Sequence, residues 1–108
     1  MNVPTESIEF IKKLTQLSNE KKVNWHKRDD DFFILNRQDY KISILKWVDS
    51  DLETTFCSFS FTKGDSTNSI NTSNEESGFE LLEQLFDAAS RNSQDIKGKM
   101  DSFLSEFE

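Results

Sequence analysis

A chain of 108 residues fits one domain and can bury roughly two thirds of the surface its unfolded form exposes, so one modest core is available. Apolar residues are only 34% of it, yet ten phenylalanines and two tryptophans put that share into large side chains, and three Gly with one Pro exclude a linker-rich or disordered chain. The net charge of −7 is polarised: residues 1–48 carry nine Lys or Arg against seven Asp or Glu, residues 49–108 four against thirteen, which disfavours nucleic acid and anionic membranes as partners.

The first predicted element is a helix over residues 5–19. Ile8, Phe10, Ile11, Leu14 and Leu17 gather on one side of a 3.6-residue spiral, opposite Glu9, Lys12, Lys13 and Gln16. Pro4 stands where a helix start tolerates it, and polar residues 18–22 end it. Lys12, Lys13, Lys21, Lys22, Lys27 and Arg28 form a weak basic zone here.

From Val23 the period becomes two, with Val23 and Trp25 on one side and Asn24 and His26 on the other. Arg28-Asp29-Asp30-Asp31 reads as a turn, and Phe32-Phe33-Ile34-Leu35 as a second strand. After a turn at 36–39, Tyr40, Ile42 and Ile44 alternate with Lys41 and Ser43. Leu45, Trp47 and Val48 then change face, which predicts a bulge near Leu45. Residues 53–63 make the clearest strand, placing Cys57, Phe59 and Phe61 on one face against Ser58, Ser60 and Thr62. The polar run 64–77 reads as a mobile loop with a short edge strand at 67–72. Short connections imply antiparallel neighbours.

Ser73-Asn74-Glu75-Glu76 has the spacing of a capping box, so a helix is expected to begin between Glu75 and Phe79. Beyond it, Phe79, Leu82, Phe86, Ala89, Ser93, Ile96, Met100, Phe103 and Phe107 alternate spacings of three and four without a slip, and form one narrow seam. A single helix over 76–107 would be roughly 48 Å long. A compact domain of this size is only roughly 34 Å across. Either the overhang packs on a second copy through Phe86, Ala89, Ser93, Ile96, Met100, Phe103 and Phe107, with closest approach at Ala89 and Ser93, or the chain bends at 90–93 and the tail covers its own core.

Chemistry-bearing clusters are sparse. Asp49-Ser50-Asp51-Leu52-Glu53 lacks the glycine and glutamate a calcium loop needs, having Thr54 and Ser60 there, and one His with one Cys makes a poor zinc set. The lone Cys57 cannot form an intrachain disulfide, the first residues lack the basic start and apolar run of a secretory signal, and no apolar stretch approaches the length of a membrane span, so a reducing cytoplasm is the expected setting. Cys57 shares a strand face with Phe59 and Phe61, which suits a core filler better than a nucleophile paired with His26; no cofactor is implied and no enzyme is expected. Trp25, His26, Arg28, Tyr40 and Trp47 combine aromatic faces with cations and could hold a nucleotide-like ligand. Glu80, Glu83, Asp87 and Asp95 could instead face a basic patch on a protein partner.

The order of a helix, Val23-Asn24-Trp25, apolar strands, the stretch FELLEQLFDAASRN and the tail DIKGKMDSFLSEF resembles a pattern among small bacterial and phage α+β proteins. Immunity, antitoxin and anti-defence roles are common among them, and the resemblance implies a binder that neutralises something. The expectation is therefore one α+β domain, with a helix, a four- to five-stranded antiparallel sheet and a long C-terminal helix. It would act as an oligomeric, non-enzymatic inhibitor of a protein partner or, failing that, as a small-molecule sponge.

Overall fold

The computed structural model describes residues 3–94 and 96–107. Helix α1 (Thr5–Asn19) is followed by strands β1 (His26–Asp29), β2 (Phe32–Arg37), β3 (Tyr40–Asp49), β4 (Thr54–Lys63) and β5 (Ser66–Ser73), then by helices α2 (Phe79–Ser93) and α3 (Ile96–Ser105). The strands form one antiparallel sheet in chain order, each paired with the next, giving the α+β architecture expected. Among the described residues no helix is long and apolar enough to cross a membrane.

Alternation in the strands sets the layers. Phe33 and Leu35 of β2, Ile42 and Ile44 of β3, Cys57 and Phe59 of β4 and Ile70 of β5 share one face and are buried there. Ile11 and Leu14 of α1 and Phe79, Leu82, Leu85, Phe86 and Ala89 of α2 close over them in the same core cluster. Ile11, Ile44, Leu82 and Leu85 are wholly sealed from water, and burying each such side chain stabilises the fold by about 1.5–3 kcal/mol. Phe10 sits at the rim of this layer, its ring edge-on to Phe59 and Phe61.

The opposite face of the sheet has its own pattern. Register puts Phe32 beside Leu45, and Trp47 beside Phe56, on that side. The rings of Trp47 and Phe56 stack, 5.2 Å apart and 17° from parallel. The pairing of β3 with both neighbours is continuous, so the expected bulge near Leu45 does not exist. Leu45 and Trp47 depart from the inner-face alternation because they belong to an apolar corner of the outer face. The irregularity falls in β1 instead, between Lys27 and Asp29. Further along, Ser58 with Asn71, Ser60 with Ser69 and Thr62 with Thr67 form a hydrogen-bonded polar ladder across β4 and β5.

Those cross-strand bonds explain why the polar run after Lys63 is mostly strand rather than loop. β5 spans eight residues at the sheet edge, and Ile70 and Thr72 anchor its inner side. Gly64 enters the hairpin at φ +58°, a conformation that favours glycine. Similarly, β1 begins at His26 and not at Val23, because the Trp25 amide leaves the sheet to bond a side chain of α2.

At the start of α2, the Ser73 amide donates to the Glu76 carboxylate at 3.1 Å, the half of a capping box that the sequence suggested. The helix itself starts later, at Phe79, behind Gly78. A Cβ on Gly78 would lie 2.5 Å from a methyl of Val3, so the close approach of the N-terminal segment requires glycine there.

The long seam is broken. Residues 90–93, expected to bend, remain helical, held by Ser93 Oγ donating to the Ser90 carbonyl and by the buried Asn92. α2 ends immediately after them, with Gln94 already out of the helical conformation, and α3 starts afresh at Ile96. The tail does not fold back on the core: Met100, Phe103, Leu104 and Phe107 are all more than half exposed. A molecule of 52 × 31 × 23 Å with a radius of gyration of 15.0 Å is longer than a compact chain of this length, near 13 Å, would be.

Candidate functional site

Four places hold the residues singled out in the sequence. The first is the meeting point of α1, the 20–25 connection and α2. Asn92 is buried near the end of α2, where its Oδ1 accepts the Trp25 amide at 2.8 Å and its Nδ2 donates to the carbonyls of Ser18 (3.0 Å) and Val23 (2.8 Å). Trp25 in turn donates Nε1–H to Ser18 Oγ, and that hydroxyl donates to the Leu14 carbonyl. Ser18, expected to lie at the polar end of the first helix, is therefore a buried member of it, and Trp25 is a core residue with no face free for stacking. A satisfied network of this kind fixes three segments against one another, because any member left without its partner would be an unpaired polar group in the core.

The second place is an open cleft of about 850 Å³ beside that network, lined by Trp25, His26 and Lys27 on one wall and by Lys99, Ser102 and Phe103 of α3 among those on the other. Lys99 Nζ donates to the Ser93 carbonyl at 2.6 Å, one of the free carbonyls at the end of α2. Two of the five residues expected to build an aromatic and basic pocket reach this cleft. The others do not. Tyr40 begins β3 on the inner face, near Phe61 and beneath Lys63 Nζ, while Trp47 lies seven residues further along the same strand on the outer face. At 3.3 Å per residue they are roughly 23 Å apart. Arg28 is exposed at the β1 irregularity. The quintet is thus dispersed, since neighbours in sequence on a strand alternate faces. Lys27 belongs to the basic zone noted in the sequence, whereas Lys99 carried no such signal, because only the three-dimensional path after α2 brings α3 opposite β1.

The third is the acidic side of α2. Glu80 and Asp87 are exposed, whereas Glu83 is half-buried and paired with Lys46 of β3 at 3.1 Å, so part of its charge is answered within the subunit. Lys46 also lies 5.3 Å from the centre of the Phe86 ring. Asp95 lies outside the described residues. Along the seam, Phe86, Ala89 and Ser93 are buried in the subunit's own core, so the expected closest approach between copies at Ala89 and Ser93 has no surface there. Met100, Phe103 and Phe107, by contrast, are open to solvent, and Phe103 and Phe107 touch ring to ring at 5.0 Å. Ile96 begins α3.

The fourth is Cys57, wholly buried. Burial pushes its thiol up to about 12, with Lys46 opposing and Glu83 and Asp87 adding to the rise. A thiol held protonated is a poor nucleophile at neutral pH. His26 is no partner for it: β2 and β3 stand between their strands, and His26 pairs with Ile34 on the outer face while Cys57 faces inward. Asp49, the first carboxylate of the acidic turn, accepts the amides of Asp51 and Leu52 and so closes the β3–β4 connection.

No known protein family, curated protein or solved structure matches this chain.

Proposed function

We propose that this is a non-enzymatic interaction protein that inhibits or sequesters a protein partner, in the manner of immunity or phage anti-defence proteins, and that the partner's basic surface meets the exposed side of α2. The observation that carries the reading is the division of labour in that helix. Phe79, Leu82, Leu85, Phe86, Ala88 and Ala89 anchor one side in the core, while Glu80 and Asp87 stand exposed on the other, in the half of the chain that holds thirteen of its twenty acidic residues. A rigid acidic face needs little ordering on binding and steers a basic partner toward it.

The test uses lysozyme as a basic probe and compares two variants of equal net charge. Reversing Glu80 and Asp87 to Lys should weaken binding about tenfold more than reversing Asp49 and Asp51, and raising the salt from about 20 to about 300 mM should erase the difference. Equal losses from the two variants would show that overall charge, not the α2 face, governs binding.

A second reading is favoured by the cleft. His26, Lys27 and Lys99 line it together, so an anionic, nucleotide-like small molecule is the alternative ligand. A mixture of nucleoside triphosphates that raises the melting temperature of the native chain, but not that of Lys99→Ala, would favour this sponge over the inhibitor.

A further inference from the structure

The tail helix carries an apolar stripe with nothing over it. Met100, Phe103 and Leu104 of α3 and Phe107 of the turn that closes it recur at intervals of three, one and three, as one side of a helix does, and each is 57–72% exposed. Continuous with a seam that α2 buries completely, this stripe is too large and too contiguous for an ordinary solvated surface. We infer that α3 pairs antiparallel with α3 of a second copy, in one register.

Two observations on the page choose this occupant. The first is charge. In heptad terms Met100 and Phe107 take one core position and Phe103 the other, while Lys99 and Glu106 both take the flanking position that precedes the first. In an antiparallel pair, Met100 of each copy packs against Phe103 of the other, with the two-fold axis between residues 101 and 102. That register brings Lys99 of each copy beside Glu106 of the other, two opposite-charge pairs generated by the symmetry alone. A parallel pair would set Lys99 beside Leu104 and leave both charges unanswered. Lys99 in α3 and Glu106 in the turn that closes it are therefore self-complementary in one direction only.

The second is area. Side chains of this kind bury 150–250 Å² when fully covered, so the exposed parts of these four amount to roughly 500 Å² per subunit. Two copies would cover roughly 1,000 Å², at the lower end of specific interfaces, which implies a reversible dimer sensitive to concentration and not an obligate one. The body of each subunit keeps its own core throughout, because Phe86, Ala89 and Ser93 are already buried.

Sedimentation equilibrium of the full chain from about 1 to about 300 µM is the test, since a small interface predicts association within that range. Wild type should move from monomer to dimer, and Phe103→Glu should stay monomeric throughout, while at about 1 µM, where both are monomers, its circular dichroism and melting temperature should match those of wild type. Lys99→Glu and Glu106→Lys should each weaken the dimer about tenfold, because each sets two like-charged pairs together, and the double variant should recover most of that loss. The Glu106→Lys arm leaves the Lys99 bond to the Ser93 carbonyl in place, so a loss there reports pairing alone. A wild-type monomer at every concentration overturns the proposal, as does a dimer indifferent to Phe103→Glu. Failure of the double charge swap to restore the dimer overturns the antiparallel register.

Discussion

Helices α2 and α3 are cut from one pattern and end in opposite environments. Phe79, Leu82, Phe86, Ala89 and Ser93 continue without a slip into Met100, Phe103 and Phe107, yet the first five are at most 8% exposed and the last three at least 59%. The spacing specifies that a stripe exists and which side chains share it. What covers the stripe depends on the break after Ser93, which carries α3 clear of the sheet, and on whether another surface arrives. Apolar periodicity in a small protein is thus evidence of an interface in general, and only the three-dimensional path of the chain separates an internal interface from an external one.

The contrast can be broken or sharpened by substitution. Leu82→Ala, in the sealed half, should cost about 3–4 kcal/mol, because a cavity remains where the side chain was. Chemical denaturation of the purified variant measures this, and a loss below 1 kcal/mol would mean that α2 is not a true core helix. Next in size, Asn92→Ala should cost about 2 kcal/mol by leaving the Trp25 amide and the Ser18 and Val23 carbonyls without their partner. Hydrogen exchange should then quicken first at Trp25 and in the last turn of α1, ahead of the sheet. The smallest effect belongs to the open half: Leu104→Ala should change the unfolding free energy of the monomer by less than about 0.5 kcal/mol when measured at low protein concentration. A larger loss would place α3 on its own subunit.

Much of this architecture was legible in the residues, and for identifiable reasons. The first helix was expected at 5–19 and forms there because Ile11 and Leu14 keep a strict helical spacing. The strands through Ile44 and Phe59 follow from simple alternation, the one through Phe33 from a continuous apolar run, and β5 at the edge from Ile70 alone. Leu45 and Trp47 misled because an apolar residue on the outer face looks, from one dimension, like a slip of register. Ser18 and Asn92 carried no signal at all. Their value lies in partners up to 74 residues away, and a polar side chain gives no periodic sign of a bond it will make across the fold. The proposed aromatic pocket failed for a related reason: Tyr40 and Trp47 are close in sequence, but an odd spacing on a strand sends them to opposite faces.

Asn92 clasps Ser18, Val23 and Trp25 across nearly the whole sheet sequence. Helix α1 is synthesised before α2, against which it packs, and the intervening meander must be laid down before that seat exists. Until then Ile11 and Leu14 lack their permanent cover, so the nascent polypeptide must carry the greasy side of α1 open while all five strands are made.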